Sequence, residues 1–152
     1  MLKAMALVAG LLGGALAAAT AAGNAAAAAA HVLPGISYEV LASGPADGVQ
    51  PTRADQVMMR YVGRLADGEV FSTSPHDGAD PMAFKLREVI PGMSAALQLM
   101  RPGDRWRIRM PSYLAYGRLG RTTVPTQAKR GIPPDATLVF DVDLVSVAPA
   151  QP

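Results

Sequence analysis

Tyr61-Val62-Gly63-Arg64-Leu65-Ala66-Asp67-Gly68-Glu69-Val70-Phe71 is the stretch on which the fold turns. An Asp-Gly pair between two β-prone runs is a strong short-range hairpin signal, because the turn needs residues that tolerate positive φ. The run entering it, from Val57 to Leu65, alternates. Met59, Tyr61 and Leu65 share one face, and Arg60, Val62 and Arg64 share the other. Glu69-Val70-Phe71 is the returning strand.

Outward from this hairpin the same period of two recurs. Arg105-Trp106-Arg107-Ile108-Arg109-Met110 places Trp, Ile and Met on one face and three arginines on the other. This is the pattern of a half-buried antiparallel strand with a solvated outer face rather than of an anion-binding stripe. In Leu138-Val139-Phe140-Asp141-Val142-Asp143-Leu144, four apolar side chains oppose two aspartates. Ile36 to Leu41 reads as the first strand.

One segment reads as a helix. Pro91-Gly92 opens it, Met93 to Met100 carries it, and Pro102-Gly103 stops it. Met93, Ala96, Leu97 and Met100 fall at i, i+3, i+4 and i+7, which makes one apolar face. The expected fold class is α+β: a curved antiparallel sheet of about five strands wrapped around one short helix.

The chain of 152 residues is long enough for one domain. Half of it is apolar, but much of that is alanine before residue 31. Met1-Leu2-Lys3, an apolar run from Ala4 to Leu16 and small residues from Ala17 to Ala22 follow the order of a secretory signal peptide. The expected organisation is a signal peptide over 1–21, an Ala-rich linker over 22–34, a domain over 35–148 and a tail over 149–152. Export, to a bacterial periplasm, is the expected localisation. The alternative is anchoring in the inner membrane by an uncleaved N-terminus. After cleavage no membrane span is expected.

The formal charge of +2 is small and does not imply a nucleic-acid partner. The absence of cysteine excludes disulfides, a thiol nucleophile and a Cys-ligated metal. His31 falls in the linker. His76, Asp77 and Asp80 share a loop without a further ligand pattern, so no metal is expected. Phosphate-binding loops, dinucleotide fingerprints and nucleophile elbows are absent. What remains is a set of apolar and aromatic side chains near turns: Tyr61, Phe71, Phe84, Val89, Ile90, Tyr116, Ile132 and Phe140. Each alone reads as core. Tyr116, however, opens a long Gly- and Pro-rich connection reaching Pro134, and long loops in compact domains are commonly functional.

The quoted hairpin resembles the Tyr-x-Gly-x-Leu-x-Asp-Gly-x-x-Phe signature of FKBP-type peptidyl-prolyl cis-trans isomerases. Val89-Ile90-Pro91-Gly92, then Ala96 to Gly103, then Leu114-Ala115-Tyr116-Gly117, and finally Ile132-Pro133-Pro134 through Val142 follow in the family's order. Together they cover roughly residues 36 to 147. The exported bacterial branch, with relatives of macrophage infectivity potentiator, is the most similar.

The resemblance implies rotation about X-Pro bonds in proline-containing polypeptides, no cofactor, and assistance to the folding of exported proteins. It also implies a catalytic set of Tyr61, Phe71, Ile90, Tyr116 and Phe140. The Ile90 N–H and the Tyr116 hydroxyl would donate hydrogen bonds, and Met82, Phe84, Val89, Met93 and Ile132 would complete the substrate pocket. Weak binding of macrolides (tacrolimus, rapamycin) is a further implication, and a monomer is expected. Departures are Ser72, where the family commonly has Asp; Met93, commonly Trp; and a longer loop between Gly120 and Ile132. Ser72 and Met93 define the alternative: a chaperone-like module that holds peptides with little turnover.

Overall fold

The computed structural model describes residues 31–33, 35–122 and 130–150. The signal-peptide segment, the linker before residue 31 and most of the long loop lie outside the described residues.

The chain forms β1 (His31–Leu33), β2 (Ile36–Ala42), β3 (Gln56–Leu65), β4 (Val70–Thr73), a helical turn α1 (Pro75–Gly78), β5 (Met82–Lys85), helix α2 (Pro91–Leu97), β6 (Arg105–Met110) and β7 (Leu138–Ala148). Two 3-10 turns, Ser112–Leu114 and Gly117–Leu119, lie between β6 and β7. All the strands join one antiparallel sheet. Its path runs β1-β2-β6-β7-β3-β4, with β5 also paired to β3. The five anticipated strands are therefore present, and β1 and β5 extend them. β1 occupies the last residues of the stretch expected to be a linker, where His31 pairs with Tyr38 and Leu33 with Ile36.

β3 is the backbone of the sheet. One edge pairs along its whole length with β7, from Gln56 opposite Ala148 to Leu65 opposite Leu138. The other edge is shared: β4 covers Val62 to Arg64 and β5 covers Gln56 to Met59. Between them the chain makes an excursion through α1, in which His76 and Asp77 take left-handed φ values of 50° and 55°. Buried Ser74 closes the gap. Its N–H donates to the Tyr61 carbonyl at 2.9 Å, and its Oγ accepts the Tyr61 N–H at 3.2 Å. The hairpin at Asp67-Gly68 forms as expected, with the Leu65 N–H donating to the Glu69 carbonyl at 2.9 Å.

Helix α2 packs against the concave side of the sheet through the face legible in the sequence: Met93, Ala96, Leu97 and Met100 are all buried. It ends three residues earlier than its apolar period suggests. Beyond Leu97 the turns tighten to i→i−3 bonds, Leu99 to Ala96 and Met100 to Leu97, which satisfy the last carbonyls before Pro102. Val57, Met59, Trp106, Ile108, Met110, Leu138, Val142 and Leu144 supply the sheet's side of the core. Tyr38 stacks on Trp106 with ring centroids 4.1 Å apart.

The outer face is more organised than a solvated surface. Asp141 accepts from Arg107 Nε at 2.7 Å, Arg107 Nη2 at 3.2 Å and Arg64 Nη1 at 2.7 Å, so one carboxylate ties β3, β7 and β6 together. Arg60 pairs with Asp143 at 3.2 Å. The strand register sets these contacts: Arg107 lies opposite Asp141, and Arg60 opposite Asp143. Burial by itself would raise the Asp141 carboxyl, but the hydrogen bonds and charges of Arg107 and Arg64 outweigh it and hold it below the usual carboxylate range. Because the folded carboxyl titrates lower than the unfolded one, its contribution is complete above the unfolded value of about 3.9 and is lost as pH falls through the folded value. Asp141→Asn is expected to cost about 1 kcal/mol near neutrality. It should also flatten the loss of stability below about pH 4, as measured by urea unfolding at a series of pH values.

Candidate functional site

The concave side of the sheet is not filled by α2 along its whole length. Where the helix begins, a cavity of about 280 Å³ remains. It is lined by Met59 and Tyr61 of β3, Phe71 and Ser72 of β4, Phe84 of β5, Glu88, Val89 and Ile90 before α2, and Met93 within α2. Tyr116, Arg121, Thr122, Arg130 and Ile132 of the long connection and Phe140 of β7 complete it.

The floor is aromatic. Phe71 and Phe140 meet edge-to-face at 5.5 Å and 88°, and Tyr61 packs against Phe84 at 5.7 Å and Phe140 at 6.3 Å. Both phenyl side chains are almost fully buried, at 2% and 5% exposure, so the floor of the cavity is also part of the core. Gly63 makes this arrangement possible. A Cβ there would stand 2.8 Å from a carbon of each ring, a separation that real Cβ atoms do not reach. Beneath lies Met93, 2% exposed, in place of a flat ring.

The polar groups sit on the walls. Tyr61 Oη and Ser72 Oγ are hydrogen-bonded at 2.9 Å. Burial pushes the Tyr61 hydroxyl above its ordinary value, and the Ser72 bond opposes the shift. Ile90 is the N-cap of α2. Its carbonyl accepts the Ser94 N–H at 3.0 Å, while among the described residues its own N–H meets no acceptor. Tyr116 precedes Gly117, whose carbonyl accepts the Asp135 N–H at 3.1 Å, and this closes the base of the loop. Arg121 donates to Tyr116 Oη at 3.3 Å. Arg130 is held by Glu69 at the end of the hairpin.

Nine of the ten residues expected at the site line this one cavity: Tyr61, Phe71, Phe84, Val89, Ile90, Met93, Tyr116, Ile132 and Phe140. Met82 does not. It lines a neighbouring depression together with Gln56, Ala83, Phe84, Lys85, Glu88 and Val89. The short β5, paired to β3 with Met82 opposite Met59, fixes it there. Met59, Glu88, Arg121, Thr122 and Arg130 line the cavity without having stood out in the sequence. Met59 could have been found, since it shares the face of Tyr61. The others lie on loops, where periodicity carries no signal.

Residues 48–145 match the sequence profile of the FKBP-type peptidyl-prolyl cis-trans isomerase family. The chain is 40% identical over 113 residues to the FKBP-type 22 kDa peptidyl-prolyl cis-trans isomerase of Escherichia coli, covering 74% of this chain and 50% of that protein. It is 42% identical over 113 residues to the peptidyl-prolyl cis-trans isomerase Mip of Coxiella burnetii, covering 74% of this chain and 45% of the relative. The crystal structure of FkpA from Escherichia coli superposes with a TM-score of 0.68 at 37% identity, covering 80% of this chain and 53% of that one. The chain thus spans about half the length of the curated relatives it matches.

Gly63→Ala is expected to cost about 1–3 kcal/mol through forced displacement of the two phenyl rings. Denaturant unfolding measures that cost, and loss of Phe ring packing in near-UV circular dichroism would accompany it.

Proposed function

Since the chain belongs to the FKBP-type peptidyl-prolyl cis-trans isomerase family, we propose that it catalyses rotation about X-Pro bonds in polypeptides, with the prolyl ring seated on Phe71, Phe140 and Met93. The observation that carries this reading is the character of the cavity: an aromatic floor without a charged group, lined also by Ile90, whose N–H has no acceptor among the described residues, and by Tyr116.

The chemistry asks for no more. Rotation is opposed by amide resonance, a barrier of roughly 18–20 kcal/mol, and no bond to nitrogen breaks. Planar amides are charge-separated and favour water, while a twisted amide has lost that separation and favours an apolar environment. A water-poor aromatic floor therefore stabilises the transition state relative to the ground state. Donors at fixed positions then hold the peptide carbonyls on either side of the rotating bond. Phe71, Phe140 and Tyr61 are rigid because they pack into the core, and the Ile90 N–H is fixed by the helix that it caps. Ser72 keeps the Tyr61 hydroxyl bonded within the wall, a task that needs no carboxylate. For that reason the departure at Ser72 does not favour a module that only holds peptides.

The signal-like N-terminus and a relative named outer membrane protein MIP from Legionella longbeachae, 38% identical over 120 residues, support action on exported proteins, in a periplasm. The cavity would also take a macrolide such as tacrolimus or rapamycin, weakly, because Met93 offers less flat surface than an indole. The domain would act as a monomer.

Acceleration of a proline-limited refolding phase by micromolar protein tests the activity, and its absence would overturn it. Phe140→Ala and Ile90→Gly are expected to lower kcat/KM tenfold or more, about 1.4 kcal/mol of transition-state stabilisation or above. Tyr116→Phe should lower it by about two- to fivefold, the scale of one neutral hydrogen bond. Equal, negligible effects of all three in a protease-coupled prolyl peptide assay would place the site elsewhere.

A further inference from the structure

Arg121 is at the mouth of the cavity and makes two contacts with one residue. Its Nη1 donates to Tyr116 Oη at 3.3 Å, and its guanidinium carbon lies 5.3 Å from the centre of the Tyr116 ring. We infer that Arg121 is a positioning residue for the proposed reaction, which fixes the Tyr116 hydroxyl so that its proton points at the peptide carbonyl in the cavity. The inference rests on the proposed isomerase reading of that cavity.

The physical argument starts from the hydroxyl. A phenolic O–H lies close to the ring plane and can point to either side, and the oxygen can also accept. Left alone, it is free to donate toward solvent or toward the site. An arginine has five donors and no acceptor, so any hydrogen bond between the two runs from the guanidinium to the oxygen. With that side of the oxygen taken by a donor, the hydroxyl proton is directed to the other. A charged donor on the oxygen also polarises the O–H and makes it a better donor in turn. The guanidinium packed against the ring holds the phenol at one rotation.

The main chain around Arg121 makes its side chain's direction a property of the fold. The Arg121 N–H donates to the Ile132 carbonyl at 2.8 Å, and the Ile132 N–H donates back to the Arg121 carbonyl at 2.7 Å. Gly120 precedes this pair at φ 63° and ψ −153°, a region open essentially to glycine alone. A Cβ there would stand 2.2 Å from the Ile132 carbonyl oxygen. Because the bridge uses only backbone groups, changing the Arg121 side chain leaves the bridge intact. Among the described residues no carboxylate pairs with Arg121, in contrast to Arg130, which Glu69 holds.

A double-mutant cycle on the full chain tests the assignment, with kcat/KM in the protease-coupled prolyl peptide assay and the Kd of a fluorescein-labelled Ala-Leu-Pro-Phe peptide by anisotropy as readouts. Arg121→Leu is expected to lower kcat/KM about threefold, on the scale of one modest hydrogen bond, with the urea midpoint unchanged. The same change in the Tyr116→Phe background should have no effect, and Arg121→Lys, which keeps a charged donor, should recover part of the loss. An equal threefold loss in the Tyr116→Phe background, or no loss in either, would overturn the assignment. Absence of turnover in the unmodified chain would instead sink the isomerase reading. The peptide Kd then decides for Arg121: a penalty confined to the Tyr116 background supports it, and an additive penalty overturns it.

Discussion

Two phenyl rings, Phe71 from β4 and Phe140 from β7, meet at right angles over the bare backbone of Gly63 on the strand between them. This contact ties three adjacent strands together, since β3 lies between β4 and β7. Any larger residue at 63 would lift the rings off the sheet. The interlocked ring pair gives the concave side a rigid floor, and α2 covers only part of it. The cavity is therefore the core left open at one end. Its walls are rigid because they are also what holds the domain together, and a binding site of this kind needs little reorganisation to receive an apolar ring.

Charge is kept away from that floor. Arg60, Arg64 and Arg107 pair with Asp141 and Asp143 across the outer face, with Asp141 shared between Arg64 and Arg107. The two faces of the same strands thus do different work: ion pairs in contact with water, placed by the register, contribute pH-dependent stability, and apolar side chains exclude water on the other side. A charged group on the floor would hold solvent in place and favour the planar amide, against the proposed reaction. The polar groups required near a substrate come from backbone and loops instead, where Ser74, the Asp135–Gly117 bond and the Arg121–Ile132 bridge hold the chain in place.

Much of this was readable in the chain. Alternation in Val57–Leu65, Arg105–Met110 and Leu138–Leu144 identified strands and their inward faces, because side-chain direction in a strand has a strict period of two. The Asp67-Gly68 turn and the i, i+3, i+4, i+7 face of α2 were equally local. β5 was not visible: it has four residues, one of them Ala83, and it is a strand because the edge of β3 extends past β4. β1 was hidden in an alanine-rich approach for the same reason, since β2 supplies its partner. Met82 sits in the adjacent depression because β5 pairs there, a fact no motif contains.

The hairpin from Tyr61 to Phe71 marks the division. By itself the sequence determined that these residues form a hairpin, which side chains face inward, and that aromatic rather than titratable groups gather near its ends, since each depends on neighbours along the chain. Only the tertiary structure decided that Gly63 lies beneath Phe140, that Asp141 serves both Arg64 and Arg107, and that Arg121 reaches Tyr116. Each of those joins residues on separate strands or across a loop, and their distances follow from strand order and loop closure, which no local period encodes.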